Sequence, residues 1–249
     1  MAKTALITGA GSGIGRAIAE SLASRGIGVI VMDAHQANCR KTVEQIKGNG
    51  GVAHEAVADV TSDQDIKAAK ARLGDAAAEV EIVINCAGIL RYTPFQEISA
   101  SEWRLMIDTH VKGSFLVCKT FVPGMIQKGG GLIINTASEW AIVGSPGRAH
   151  YCAAKRAVHA LTKCLALELA PHGIRAISIG PGPTDTPMLR DGLSESDFQV
   201  KSEKIGRRVP LGRVGKPSDV ANLVTWLALG GGKLIDGQLL HVNGGSVMY

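Results

Sequence analysis

The sequence has few aromatic residues and no long uninterrupted apolar run. Aromatic residues make up 4% of the 249 positions. No basic motif is interleaved with them, which argues against a nucleic-acid-binding module despite a net charge of +5. No apolar run reaches the ~18 residues that a membrane span needs. The sequence therefore predicts neither a nucleic acid nor a membrane as a partner.

Cysteine is also scarce, and its spacing is uninformative for disulfides or metals. The five cysteines form no C-x-x-C pair and leave one over: Cys39, Cys86, Cys118, Cys152 and Cys164. Such a set predicts reduced thiols in a cytoplasmic protein. No His/Cys cluster has metal-ligand spacing, so no metal is predicted. The first strand-like run begins at Lys3, which leaves no room for a signal peptide.

The chain alternates between strand-like and helical segments along its whole length. Apolar runs typical of strands cover residues 3–8, 28–33, 52–58, 81–85, 131–137, 174–179 and 238–242. No linker or low-complexity stretch divides them, and 45% apolar residues can supply a large core. This alternation predicts an α/β fold of the Rossmann type, a doubly wound parallel sheet of about seven strands with helices on both faces. We expect one domain over residues 1–249.

A glycine-rich turn joins the first predicted strand to the first helix. The turn runs from Gly9 to Gly15 and includes Ser12, Gly13 and Ile14. Glycines at this point let the backbone approach a pyrophosphate, and the helix N-terminus offers unpaired N–H groups to it. Asp33 ends the second strand, where a carboxylate accepts hydrogen bonds from a ribose diol. An ordinary strand-end residue is the alternative for Asp33.

The residues with the clearest chemistry are Ser138, Tyr151 and Lys155, in the order S-x12-Y-x3-K. Tyr151 and Lys155 fall in a helical run, so their side chains share one helix face. A cation near a phenol favours the phenolate and lowers the phenol's pKa, which makes an acid/base usable near neutral pH. Ser138 follows a strand and could hydrogen-bond the same reacting oxygen. Taken alone, the Tyr–Lys pair is equally compatible with a solvated helix face.

Together these motifs resemble the short-chain dehydrogenase/reductase family, in its single-domain form of about 250 residues. The resemblance covers the whole chain. Besides the turn and the Ser–Tyr–Lys set, it rests on Asp59-Val60, Asn85-Cys86-Ala87-Gly88, Pro181-Gly182 and Thr186. It implies that Tyr151 exchanges a proton with the substrate oxygen, that Ser138 holds this oxygen, and that Lys155 binds the nicotinamide ribose and lowers the pKa of Tyr151.

The resemblance also implies a set of cofactor-binding residues. They are Gly9, Ser12, Gly13, Ile14, Gly15, Asp33, Asp59, Val60, Asn85, Ala87, Gly88, Tyr151, Lys155, Pro181, Gly182, Thr184 and Thr186. Asp33 would repel a 2′-phosphate, and Ser12 lacks the basic side chain that phosphate-binding relatives often place there. The predicted cofactor is therefore NAD rather than NADP.

Two positions depart from the family pattern. One is Ile177, where many relatives have an asparagine in the strand that leads to Pro181-Gly182; the other is His110. His110 stands where relatives usually carry an asparagine that supports a water-filled proton path behind the lysine. We count His110 among the candidate catalytic residues, because its ring could titrate near neutral pH. The alternative is a packed core histidine.

The substrate pocket is predicted from residues that flank the catalytic ones. Glu139, Trp140 and Arg148 are its candidate members beside Ser138 and Tyr151, with Arg91, Tyr92 and His150 nearby in sequence. Their polarity favours a small, oxygen-rich substrate such as a polyol, a sugar derivative or a hydroxy acid. A lid is expected at about residues 187–212.

The predicted function is NAD(H)-dependent interconversion of a secondary alcohol and a ketone on a small polar molecule. The alternative is reduction of a 3-oxoacyl-(acyl-carrier-protein) or related thioester, for which Lys128 and His172 offer only a thin basic patch. A regulatory dinucleotide-binding protein without catalysis is disfavoured by the intact Ser–Tyr–Lys set. We expect a homo-oligomer, either a dimer or a tetramer with the tetramer favoured, because the apolar segments near Ser101 and His150 and the C-terminal strand would otherwise face water.

Overall fold

A computed structural model describes residues 3–248. The strands are β1 Thr4–Thr8, β2 Gly28–Asp33, β3 Ala53–Val57, β4 Val80–Asn85, β5 Gly131–Thr136, β6 Ile174–Pro181 and β7 Leu239–Val242. Each lies within a few residues of its predicted position. Met1 and Ala2, the two residues before the predicted first strand, lie outside the described residues.

Helices connect the strands. They are α1 Gly13–Ala23, α2 Gln36–Gly48, α3 Asp63–Leu73, α4 Asp75–Ala78, α5 Ala100–Ile107, α6 Gly113–Gln127, α7 Trp140–Val143, α8 Ala149–Leu169, α9 Pro187–Arg190, α10 Glu195–Gly206 and α11 Pro217–Ala228. Short 3₁₀ turns cover Phe95–Glu97 and Ala170–His172, and Asp108–Lys112 forms a π-helical turn between α5 and α6. The predicted lid region consists of α9, α10 and the loops around them.

All seven strands pair in parallel in one sheet, in the order β3-β2-β1-β4-β5-β6-β7. The order reverses between β1 and β4, where a doubly wound sheet has its topological switch point. The carboxyl ends of β1, β4, β5 and β6 therefore converge on one edge. The motifs singled out in the sequence lie at or after the ends of these strands or of β2 and β3, with Tyr151 and Lys155 in α8.

Alternate residues of each strand are buried on opposite faces of the sheet. Ile7 and Ile84 pack with Val224 of α11 on one face, whereas Leu6 and Val83 pack with other helices on the second face. Apolar side chains on both faces explain why the strands are continuous apolar runs rather than alternating ones. The fold is the predicted Rossmann-like α/β fold. No helix in residues 3–248 is both long and apolar enough to cross a membrane.

Candidate active site

A cavity of about 560 Å³ opens at the carboxyl edge of the sheet. It extends from the glycine-rich turn and Asp33 to Ser138, Tyr151 and Lys155. All but one of the predicted cofactor residues line it. Within residues 3–248, no group of three or more His, Cys, Asp or Glu side chains could hold a metal ion.

The glycine-rich turn has the close packing that a bound pyrophosphate requires. Gly9 has φ +63°, and a Cβ there would stand 2.8 Å from the backbone of Ala87. A Cβ on Gly15 would collide with the carbonyl oxygen of Gly9. The Thr8 hydroxyl accepts hydrogen bonds from the N–H groups of Cys86 and Ala87, each at 3.0 Å. The turn and the loop after β4 therefore form one rigid wall, and Thr8, which was not among the predicted site residues, joins them.

Asp33 is held in a fixed orientation beside the turn. Its Oδ2 accepts from the Gly11 N–H at 2.9 Å, and its Oδ1 accepts from the His35 N–H at 2.9 Å. The side chain is 12% exposed and lines the cavity. These bonds leave lone pairs on both carboxylate oxygens for further donors. The residues present therefore fit an adenosine ribose with two free hydroxyls.

Ser138, Tyr151 and Lys155 come together as predicted. The Ser138 hydroxyl is a hydrogen-bond partner of the Tyr151 phenol. The Lys155 Nζ lies 5.6 Å from the centre of the Tyr151 ring and donates to the carbonyl oxygen of Thr136 at 2.7 Å. Trp140 packs edge-on against Tyr151 with ring centres 6.0 Å apart. Ser138, Tyr151 and Lys155 are all buried.

The electrostatics of this group differ from the expectation in one respect. Burial raises the pKa of Tyr151 to about 12, and the hydrogen bond from Ser138 offsets this only in part. Burial also lowers the pKa of Lys155 to about 8, so this ammonium is itself poorly stabilised. In the protein alone, the pKa of Tyr151 is therefore raised rather than lowered, and the phenol is protonated at neutral pH.

His110 is a buried neutral residue rather than a group that titrates near neutral pH. Burial and the charge of Lys155 hold its pKa well below 6.5, which corrects the expectation from sequence. Its Nε2 lies 2.8 Å from the carbonyl oxygen of Ile89, and its ring stands edge-on to Tyr151 with centres 5.4 Å apart. His110 lies in the π-helical turn, a rare geometry that is frequent at functional sites. The structure shows His110 packed against the ring of Tyr151.

Asn85 is the predicted cofactor residue that the cavity wall lacks. Its side chain points into the sheet, where Nδ2 donates to Asn135 Oδ1 at 2.8 Å and contacts the Cys118 sulfur at 3.3 Å. Asn85 thus joins β4 to β5 below the cavity. The Asn85 side chain therefore does not face the cavity in which the cofactor is expected to bind.

The polar rim predicted for the substrate pocket is largely absent. Arg148 lies outside the cavity wall, with its guanidinium 4.6 Å from the Trp140 ring centre. His150 is fully buried and pairs with Glu102 at 3.3 Å. Arg91 and Tyr92 are exposed and lie off the wall. Of the polar candidates beside the catalytic group, Glu139 alone lines the cavity.

Apolar side chains line much of the cavity wall where polar side chains were expected. The cavity wall includes Ile89, Leu90, Leu105, Met188 and Leu189. Sequence reasoning missed the first three, although Ile89 and Leu90 directly follow the Asn85–Gly88 motif. Met188 and Leu189 fall in the predicted lid, and Lys201 holds them in place through its bond to the Leu189 carbonyl at 2.7 Å.

Comparisons with known proteins agree with this geometry. A family model described as enoyl-(acyl carrier protein) reductase, within the short-chain dehydrogenase/reductase family, matches residues 9–247. The chain is 37% identical over 249 residues to a 3-oxoacyl-(acyl-carrier-protein) reductase of Staphylococcus aureus, covering 100% of this chain and 99% of the relative.

Two solved structures are also similar over nearly the full length. A protein of Agrobacterium tumefaciens, assigned provisionally as a gluconate dehydrogenase, superposes with a TM-score of 0.92 at 32% identity, covering 99% of this chain and 97% of that one. A 3-ketoacyl-(acyl-carrier-protein) reductase of Brucella melitensis in complex with NADH gives 0.89 at 29%, with 99% and 98% covered. The chain belongs to the short-chain dehydrogenase/reductase family and is an oxidoreductase.

Proposed function

We propose that this protein is an NADH-dependent reductase of 3-oxoacyl thioesters. The observation that carries the proposal is a buried Ser138–Tyr151–Lys155 group that lines the same cavity as several apolar side chains. Leu90, Leu105 and Met188 offer a surface for an acyl chain or the arm of a thioester carrier. The 3-oxoacyl reductase relative from S. aureus supports the same substrate class. The small polar substrate expected from the sequence loses support because Arg91, Arg148 and His150 lie off the wall.

NAD(H) is the proposed cofactor because of Asp33. Its carboxylate, fixed by the Gly11 and His35 N–H groups, would accept the two hydroxyls of an adenosine ribose. A 2′-phosphate at the same place would meet like charge. Asp59 and Val60 line the cavity and would hold the adenine, and Thr184 and Thr186 also line it. The NADH complex of the B. melitensis reductase is consistent with this choice.

The residues of this chain would supply the proton and the orientation. When bound, the nicotinamide cofactor exchanges hydride with the substrate carbon. Ser138 would donate a hydrogen bond to the carbonyl oxygen and hold it beside Tyr151. The neutral Tyr151 phenol would give that oxygen its proton as the carbonyl becomes a hydroxyl. Lys155, with one N–H on Thr136, has two further N–H groups for the nicotinamide ribose and for stabilising the developing phenolate.

A second substrate class is a neutral polyol or sugar. Glu139 favours it, since a buried carboxyl on the cavity wall is an acceptor for substrate hydroxyls. The protein of A. tumefaciens, assigned provisionally as a gluconate dehydrogenase, is named for a polyhydroxylated substrate, although gluconate is not neutral because it also carries a carboxylate.

Initial rates of NADH oxidation on a matched substrate panel separate these functions. The panel contains the N-acetylcysteamine thioester of 3-oxobutanoate, the corresponding trans-2-butenoyl thioester, and a polyol with NAD in the oxidative direction. We expect reduction of the 3-oxo thioester and none of the enoyl thioester, because Tyr151 is placed to protonate an oxygen. Turnover of the polyol alone would contradict the thioester proposal and support a polyol or sugar as the substrate class. Activity on the enoyl thioester alone would contradict both.

A further inference from the structure

Glu139 is a buried acid at the substrate end of the cavity. It directly follows Ser138 in sequence, and the residue is only 4% exposed. Its Oε2 accepts a hydrogen bond from the Ser246 hydroxyl, and its carboxyl also bonds to the Asn243 side chain. A Cβ on Gly182 would stand 3.0 Å from Oε2, so the carboxyl borders the backbone of the cavity wall. Both hydrogen-bond partners are uncharged.

No cation compensates this carboxyl in the cavity. Of the Lys and Arg residues in the described chain, only Lys155 lines the wall, and its Nζ is bound to the Thr136 carbonyl. Arg148, the nearest arginine in sequence, stacks on Trp140 outside the wall. A carboxylate substrate is usually held by arginine in a two-point contact, and this cavity offers none. The substrate end is therefore suited to an uncharged ligand.

We propose that Glu139 is a specificity-determining residue that rejects 3-oxo acids and admits their uncharged esters and thioesters. Burial raises the pKa of the Glu139 carboxyl, and its hydrogen bonds with Ser246 and Asn243 offset this in part. In its ionised form it repels a second carboxylate in the same cavity. An ester of the same acid has nearly the same shape but no charge, so the discrimination depends on the charge of Glu139. The inference rests on the proposed function, because the neutral 3-oxo compound must be a substrate. It also argues against gluconate, which carries a carboxylate.

The test compares 3-oxobutanoate with its ethyl ester, using kcat/KM at saturating NADH. Wild-type protein should prefer the ester by at least about tenfold, which corresponds to ~1.4 kcal/mol. Glu139→Gln keeps the size of the side chain and an acceptor for Ser246, and it should reduce the preference to within about threefold by raising activity on the acid. Glu97→Gln removes the same charge from an exposed position off the cavity wall and should change nothing. Glu139→Ala provides a second uncharged variant, and NADH binding reports that each variant is folded.

Two results would overturn the inference. One is equal wild-type activity on the acid and the ester, and the other is an ester preference that survives in both Glu139 variants. Either result leaves the proposed function standing, since the ester is still reduced. Absence of wild-type activity on both the ester and the thioester would instead overturn the proposed function, and the inference with it.

Discussion

The replacement of Asp33 by asparagine tests how the protein selects its cofactor. The Asp33 carboxylate is 12% exposed and fixed by two backbone N–H groups, so it cannot turn away from a ligand at the end of β2. A 2′-phosphate carries about two negative charges. At about 5 Å the repulsion is about 1.7 kcal/mol at the dielectric of water and about 6–7 kcal/mol at an effective dielectric of 20. Even the smaller figure gives NADH at least a tenfold advantage.

The assay measures kcat/KM for NADH and NADPH with one ketone substrate at fixed ionic strength. The wild-type ratio should be at least about tenfold in favour of NADH. Asp33→Asn keeps an acceptor for the Gly11 N–H but removes the charge, so the ratio should fall by at least about fivefold. Asp75→Asn, an exposed change in α4, is the matched control and should leave the ratio unchanged. A wild-type preference for NADPH, or an unchanged ratio in Asp33→Asn, would refute the reasoning.

Three further predictions follow from the burial of charged and apolar groups. The pKa of Lys155 is about 8 in the folded protein, below its ordinary value of 10.5. Burying the protonated Lys155 side chain therefore lowers the free energy of unfolding by about 3 kcal/mol below pH 8. After a loss of about 1 kcal/mol for the bond to Thr136, cofactor-free Lys155→Met should be about 2 kcal/mol more stable than wild type at pH 7. This advantage should shrink as the pH rises from 8 to 10.5, and chemical denaturation at several pH values measures it. His110→Asn should keep substantial activity and an unchanged kcat profile between pH 6.5 and 8, because burial holds the pKa of His110 well below its ordinary value of 6.5; a shifted profile would show that the ring titrates. The protein should sediment as a dimer or tetramer at micromolar concentration, because Trp103 and Phe115 are 41% and 46% exposed on neighbouring helices; a mass near 26 kDa would contradict this.

The fold was predictable because its signals are local and repeated. Strands such as Val80–Asn85 are short continuous apolar runs, which are typical of a parallel strand buried on both faces. The structure confirms this, because apolar side chains pack on both faces of the sheet. The glycine-rich turn was predictable for a related reason. A Cβ at Gly9 or Gly15 would collide with backbone atoms, so steric contact restricts both positions to glycine.

The substrate end of the site was much less predictable, because adjacency in sequence does not fix the direction of a side chain. Arg148 and His150 flank Tyr151, but one stacks on Trp140 and the other points to Glu102. Asn85 belongs to a motif and still points into the sheet. Leu105 comes from a different helix and reaches the cavity only through tertiary packing. The pKa values also could not be predicted from the sequence, because burial, rather than the neighbouring charge, determines the direction in which the pKa of Tyr151 shifts.

The central claim is that Tyr151 protonates the substrate oxygen of a 3-oxo compound during reduction by NADH. The most direct measurement is NADH oxidation with the N-acetylcysteamine thioester of 3-oxobutanoate, in wild type and in Tyr151→Phe, with NADH binding measured in both. Wild type should turn over the thioester. Tyr151→Phe keeps the packing against Trp140 and His110, so it should bind NADH nearly as well while losing at least about 100-fold in kcat. A Tyr151→Phe protein with near wild-type kcat would contradict the account.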